Sequence, residues 1–273
     1  MKILVVGAGS FWGRPLVDAL RAKAQDVSVF TRDPRSYPED WRMSLSCHWG
    51  ELHHMHILEE ALRGVDRVVA CIGAGRSESN ADQSEVDGIR HLLEAMSRFS
   101  TADLVRLTSP SPLREADWWP MASRRRADLL VDSSRIPHCL VQMGWAPEML
   151  APLERRGKLW LPHPLSTPAR IAWHSRRSAI ERLVELTLSE SLPQQTQIRG
   201  TDIASLVELS TRICIRHPTV ERIHLPGRFF HWLSRWGSDF GFAGWRLVHA
   251  TSPHRLRTSS EFEDSLDGWS PAR

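Results

Sequence analysis

The sequence predicts an α/β fold, a doubly wound parallel sheet followed by a small carboxyl-terminal lobe. Three observations predict it. The chain opens on a continuous apolar run, Ile3 to Val6, as a central strand covered on both faces requires. A glycine-rich turn follows at once and leads into an amphipathic stretch from Trp12 to Lys23, with Leu16, Val17 and Leu20 at helical spacing. Strand-like and helix-like segments then alternate as far as residue 145.

The elements follow in order. Val27 to Phe30 read as the second strand, and Thr31 to Trp41 as a polar, proline-containing loop. Leu45 to Cys47 start a third strand, and Ile57 to Arg63 a helix. Val65 to Ile72 are the clearest later strand. Ser84 to Phe99 form a helix with Val86, Ile89, Leu92, Leu93 and Met96 on its apolar side. Leu104 to Leu107, Arg124 to Asp132 and Cys139 to Gln142 continue as strand, helix and strand. This is the order of a Rossmann-type domain over residues 1–145. From Gly144 the rhythm changes, and prolines cluster between Pro147 and Pro168. Residues 146–273 read as a small substrate lobe interleaved with the end of the sheet. Helices Arg176 to Ser189 and Asp202 to Cys214 flank a short strand near Gln197 to Arg199, and Val220 to Leu225 is a last strand. After about His254 the chain is polar and reads as a poorly ordered tail.

Composition narrows the class of protein. The 273 residues are 41% hydrophobic and 25% charged, with a formal net charge of +3, so a soluble globular protein with no nucleic-acid partner is expected. Cys47, Cys71, Cys139 and Cys214 are far apart in apolar surroundings, the usage of reduced thiols in a cytoplasmic protein. No apolar run approaches the roughly 20 residues of a membrane span, and no signal-peptide pattern follows the first strand.

The turn Gly7-Ala8-Gly9-Ser10-Phe11-Trp12-Gly13 lies between the first strand and the first helix. Gly7 permits the tight turn and lets backbone approach a pyrophosphate; Gly13 lets helix and strand pack closely; the free N–H groups of the helix then face the phosphates. Gly7, Gly9, Ser10, Phe11, Trp12 and Gly13 are therefore expected to bind a dinucleotide. The end of the second strand chooses between cofactors, an acid there favouring a ribose 2′-hydroxyl and an arginine a 2′-phosphate. Arg32 holds that place, with Arg14 able to assist, and Asp33 before Pro34 reads as the start of a turn. NADP(H) is thus expected in preference to NAD(H). Ile72 and Gly73, after the fourth strand, are expected to pass close to the cofactor, where small residues allow the approach.

These residues carry a resemblance. VVGAGSFWGRPLVDAL resembles the GxxGxxG fingerprint of extended and atypical short-chain dehydrogenases/reductases, with Ser10 in place of the middle glycine. TRDP after the second strand resembles the VRDP of NmrA-like NAD(P)H-binding proteins. Trp49-Gly50-Glu51 stands where that family has Gly-Asp, and EVDGIRHLLEAM resembles its VNxxGTxNLLEAA helix. LVRLTSPSP resembles the fifth strand, which ends at a catalytic serine, here Ser109, and IPHCLVQMGW resembles LDYTIVRPGW. Ile171 to Ile180 and Phe262 to Pro271 match the family's later segments more loosely.

The resemblance implies oxidoreductase chemistry and also shows where that chemistry departs. The family uses a tyrosine four residues before a lysine; here the segment reads Trp118-Trp119-Pro120-Met121-Ala122-Ser123-Arg124-Arg125-Arg126. Arg125 is expected to stand in for the ribose-binding lysine, but four residues before it is Met121, which donates no proton. Tyr37, the one tyrosine, is in another loop. The catalytic expectation is therefore Ser109 with Arg125, the proton coming from Ser109, Ser111, His163, His174 or water. The open alternatives are an atypical reductase of a flat apolar carbonyl, imine or enone, a nucleotide-binding sensor or scaffold, and an enzyme in which bound nucleotide is structural.

Other features have bland readings beside them. His48, His53, His54 and His56 match no zinc spacing and read as loop and helix-start residues, with no metal expected. Glu115 and Asp117 read as solvated loop carboxylates. Trp145, Trp160, Trp173, Phe229, Phe230, Trp232, Trp236, Phe240, Phe242 and Trp245 fit a substrate pocket or a lobe core equally, and a membrane or protein partner surface less well.

Overall fold

The structure, a computed structural model, describes residues 1–33, 35, 37–73, 82–109, 119–163 and 170–234, with 241, 243, 244 and 247. Its strands in chain order are β1 (Lys2–Val6), β2 (Asp26–Thr31), β3 (Ser46–Trp49), β4 (Arg67–Ala70), β5 (Asp103–Thr108), β6 (His138–Met143), β7 (Glu154–Arg155), β8 (Lys158–Pro162), β9 (Arg170–Trp173), β10 (Gln195–Ile198), β11 (Asp202–Ser205) and β12 (Glu221–Leu225). The helices are α1 (Gly13–Ala22), α2 (Glu39–Ser44), α3 (Met55–Leu62), α4 (Gly88–Phe99), α5 (Trp119–Asp132), α6 (Arg176–Leu188), α7 (Leu206–Arg216) and α8 (Gly227–Ser234).

Seven strands form one parallel sheet in the order β10-β6-β5-β4-β1-β2-β3. The period of two along β1 sends Ile3 and Val5 to one face, Leu4 and Val6 to the other, and all four are buried. On the first face α1 brings Leu16, Val17 and Leu20, and α6 brings Ala179, Ile180, Leu183 and Val184. On the second, α3, α4 and α5 cover the sheet through Leu58, Leu62, Ile89, Leu92, Met96, Ala127 and Val131. Each such side chain contributes about 1.5–3 kcal/mol by leaving water, so a helix placed on the wrong face would forfeit a large share of the fold's stability. Residues beyond 145 supply both a seventh strand and a separate lobe, in which β9 pairs with β11 and β8 with β7 and β12. That lobe has its own core, containing Leu159, Leu161, Ile171, Trp173, Leu209 and Phe230.

Several expectations change. The loop Thr31 to Trp41 contains the start of α2, and Trp41 is buried because its indole N–H reaches Asp18 at 2.8 Å. The helix expected over Asp202 to Cys214 is a strand, β11, followed by α7. Ser205 ends the strand and caps the helix, its side chain accepting from Glu208 N–H while the Glu208 carboxylate accepts from Ser205 N–H. The helix expected from Ser84 begins as a wider π-turn over Asp82–Asp87, which draws Glu85 fully into the interior. The segment 147–173 holds β7, β8, β9 and a 3₁₀ turn at Pro147–Leu153. Ser111, Glu115, Asp117, Trp236, Phe240, Phe242, Trp245 and the polar tail lie outside the described residues.

Candidate functional site

Strand order reverses between β1 and β4, which opens a crevice at their carboxyl ends. The glycine turn enters it. Gly7 has φ +81°, and a Cβ there would stand 2.8 Å from the Cys71 carbonyl oxygen. A Cβ on Gly13 would stand 2.5 Å from the Gly7 carbonyl oxygen, so both glycines are dictated by backbone approaching backbone. Ser10 closes the turn: its N–H donates to Gly7 O at 3.0 Å and its hydroxyl accepts from Gly13 N–H at 3.0 Å. The departure from the middle glycine thus gives the first N–H of α1 a side-chain partner.

The other residues expected at the cofactor follow neighbouring strands of the sheet. Arg32 is exposed after β2, as is Arg14 at the start of α1. Asp33 does start a turn: its carboxylate accepts from Arg35 N–H at 2.9 Å and from the Arg35 guanidinium at 3.0 and 3.2 Å. The Arg35 side chain holds the Asp33 carboxyl below its ordinary range. Ile72 and Gly73 follow β4, and a Cβ on Gly73 would meet Arg124 at 3.6 Å.

Arg124 is the residue that sequence reasoning missed. It donates to the Ser109 hydroxyl and, through Nε, to Glu85 at 2.9 Å. Arg125, expected in this role, is exposed. A step of one residue turns a helical side chain through about 100°, which is enough to take it out of the site. Four residues before Arg124 stands Pro120, no better a proton donor than Met121, which is buried. Behind Arg124 lies a buried ionic cluster: Arg106 reaches Glu85 at 2.9 Å and Asp128 at 2.6 Å, and Thr108 donates to Asp128 at 2.5 Å. Burial works against the Arg124 charge, but Glu85 and Asp128 outweigh it and raise its pKa. Arg106 inside the apolar strand Asp103–Thr108 was the available signal, since a buried guanidinium demands carboxylates.

The lobe closes on the glycine turn at the start of α6. His174 stacks on Trp12 with ring centres 5.6 Å apart, and the Arg176 guanidinium lies 5.1 Å over the Phe11 ring. His174 is buried, which lowers its pKa, and its Nε2 has no hydrogen-bond partner among the described residues. A shallow, solvent-open cleft with a volume of only about 20 Å³ runs beside it, past Ser178, Arg182, Arg199 and Thr201. His163, by contrast, belongs to the lobe sheet, its ring 6.4 Å from His224. Trp173 and Phe230 are core, Trp145 and Trp160 pack against them, and Phe229 and Trp232 are exposed.

The histidines after β3 serve structure: His54 accepts from Glu51 N–H at 3.2 Å, and its ring meets His53 at 4.2 Å. Among the described residues no group of three or more metal-binding side chains converges. Cys71 and Cys139 are buried, Cys47 and Cys214 half-buried, and all four are free thiols. Among the described residues, no helix is long and apolar enough to cross a membrane.

Residues 7–150 match the family model described as NAD(P)H-binding. The chain belongs to that NAD(P)H-binding family. A 2-alkyl-3-oxoalkanoate reductase of Stenotrophomonas maltophilia is 32% identical over 119 residues, 42% of this chain and 36% of that protein. The aligned stretch thus spans about a third of that relative's length. The fold extends further. A nucleoside-diphosphate-sugar epimerase from Staphylococcus aureus superposes with a TM-score of 0.72 at 17% identity, covering 98% of this chain and 96% of that one. An NADPH-dependent quinone oxidoreductase from Escherichia coli, complexed with NADPH, gives 0.69 at 16% identity, covering 98% and 100%. The fold of these two structures therefore extends over nearly the whole chain, beyond the residues that match the family model.

Proposed function

We propose that this chain is an NADP(H)-dependent oxidoreductase acting on a small, flat, apolar carbonyl, imine or enone. Gly7, Gly9, Ser10, Phe11, Trp12 and Gly13 would hold the pyrophosphate side of the cofactor, Arg32 its 2′-phosphate, and Ile72 and Gly73 the wall opposite. A nicotinamide held there would supply the hydride. The observation that carries the reading is the Ser109–Arg124 pair beside Gly73. Arg124 donates to Ser109 Oγ and leaves the serine hydrogen free to donate to a substrate oxygen. The guanidinium charge would stabilise that oxygen as it gains electron density, and water would return the proton to the serine. The 32% identity to a reductase of 3-oxo acids supports a ketone as the accepting group.

A second reading, a nucleotide-binding sensor, is favoured by one observation: Pro120 stands where a donor tyrosine is needed, four residues before Arg124. The test is calorimetric titration with the four nicotinamide nucleotides, then NADPH consumption against quinones, enones and 3-oxo acids. Turnover abolished by Arg124→Ala supports the oxidoreductase. Tight binding with no turnover across the panel supports the sensor, and no binding rejects both.

A further inference from the structure

Tyr37 is the one tyrosine of the chain, and the structure brings it to the glycine turn from the loop between β2 and α2. Only 6% of it is exposed, and its ring packs edge-on to Trp41 at 5.2 Å. Burial disfavours the ionised hydroxyl, and two groups of separate origin act the other way, the side chain of Thr31, which ends β2, and the backbone of Gly9. The ring crowds the same spot, since a Cβ on Gly9 would stand 3.3 Å from Tyr37 Cε1. These two segments are the ones a doubly wound sheet turns toward the phosphates and the adenosine ribose of a dinucleotide. A phenylalanine would fill the same apolar space, so the buried polar tip needs its own explanation.

The charges around it point the same way. Asp33, which would repel a phosphate, is engaged by Arg35, while Arg32 beside it has no ion-pair partner among the described residues. Burial pushes the phenol pKa up, so at neutral pH the group is a neutral donor. A fixed and already desolvated donor needs little reorganisation to meet an anion.

We propose that Tyr37 is a specificity-determining residue whose hydroxyl donates to the 2′-phosphate of the bound nucleotide, with Arg32 supplying the charge. This rests on the nucleotide-binding reading above. A phosphate oxygen accepts a strong, charge-assisted bond, whereas a ribose hydroxyl at that place gains much less, so the phenol discriminates between the two cofactors.

The experiment compares NADPH and NADH binding to the unmodified protein and to Tyr37→Phe, with circular dichroism to show that the variant is folded. The expected result is a loss of roughly tenfold in NADPH affinity, about one charge-assisted hydrogen bond, with NADH affinity unchanged. A second measurement uses the unmodified protein alone. Because the chain has one tyrosine, its tyrosinate absorbance in an alkaline titration reports that residue and no other. NADPH should move the midpoint to higher pH, since phenolate beside phosphate is disfavoured, and NADH should leave it in place. Equal loss for both nucleotides, no loss for either, or a midpoint indifferent to NADPH overturns the assignment to Tyr37 while the nucleotide-binding reading stands. Failure of the unmodified protein to bind either nucleotide overturns both.

Discussion

The guanidinium of Arg124 joins two groups of opposite character, the half-buried hydroxyl of Ser109 and the fully buried carboxylate of Glu85. It therefore has a structural duty and a chemical one, and the two separate by substitution. Arg124→Ala leaves Glu85 with Arg106 as its remaining ion-pair partner among the described residues and should destabilise the fold by about 1–3 kcal/mol. NADPH-dependent turnover should fall below detection. Arg125→Ala, on the exposed side of α5, should change stability by less than about 0.5 kcal/mol and leave turnover intact. Urea unfolding and a turnover assay on both variants check this; greater damage from Arg125→Ala would place the wrong arginine in the site.

The cluster behind Arg124 predicts a larger effect. Arg106 and Glu85 are both fully buried, and Arg106 also holds Asp128. Arg106→Met removes the central cation, leaving buried Glu85 with Arg124 and Asp128 without an ion-pair partner among the described residues, and losing one partner of a buried pair costs about 3–5 kcal/mol. The double variant Glu85→Gln, Arg106→Met should recover part of that loss, because the buried charge of Glu85 is gone. A double-mutant cycle by denaturant unfolding measures the coupling, and purely additive losses would show that the two residues do not act as a pair.

The two ends of the glycine turn can be set against a glycine elsewhere. Gly13→Ala drives a Cβ to 2.5 Å from the Gly7 carbonyl, and neither backbone can yield without opening the turn. Overpacking of this kind costs about 1–3 kcal/mol, and nucleotide affinity should drop by more than about tenfold as the turn deforms. Gly64→Ala meets nothing within 4 Å but stands at φ +65°, so it should cost about 1–2 kcal/mol in backbone strain alone. Nucleotide affinity should not change. Similar stability losses with opposite binding results, read by calorimetry, are the expected signature.

The first half of the fold was legible because each strand there is a local signal. β1 and β4 are short apolar runs buried on both faces, and the glycines between β1 and α1 punctuate the turn where backbone must approach backbone. The lobe was not legible in the same way. β7, β8, β9 and β11 are two to five residues long, mixed in polarity, and paired partly across long sequence separations, so no period is sustained. Asp202 to Ser205 passed as a first helical turn, although Ser205-Leu206-Val207-Glu208 has the spacing of a capping box and marks the true start of α7. In the site, Ser109 was readable from the end of β5, but the choice between Arg124 and Arg125 depends on the rotation of α5 about its axis. Tyr37 stands in the wrong place in the sequence for a catalytic tyrosine. Its position at Gly9 follows from how the β2–α2 loop folds back, and only tertiary structure fixes that.

The contact between lobe and glycine turn should make stability depend on pH. His174 is buried against Trp12, and burial lowers its pKa, with Arg182 nearby acting in the same direction. Its Nδ1 faces the Ser175 carbonyl at 3.1 Å, so the neutral ring has a use for one proton, while a second would charge a buried Nε2 that has no hydrogen-bond partner among the described residues. The sign follows from linkage. In the unfolded chain the ring titrates near about pH 6.5 and in the folded chain lower, so over that window the unfolded state binds more protons. Stability is therefore full above about pH 6.5 and falls as the pH drops toward the folded value, with a slope approaching about 1.4 kcal/mol per pH unit for one proton. Half-buried His48, whose pKa burial also lowers, adds to the same slope. His174→Gln should be less stable near neutral pH, having lost the stack on Trp12, and should show a shallower decline between about pH 7 and about pH 5. Urea unfolding across that range compares the two slopes. Parallel slopes would assign the acid sensitivity to His48 or to carboxylates elsewhere and free the lobe contact from any part in it.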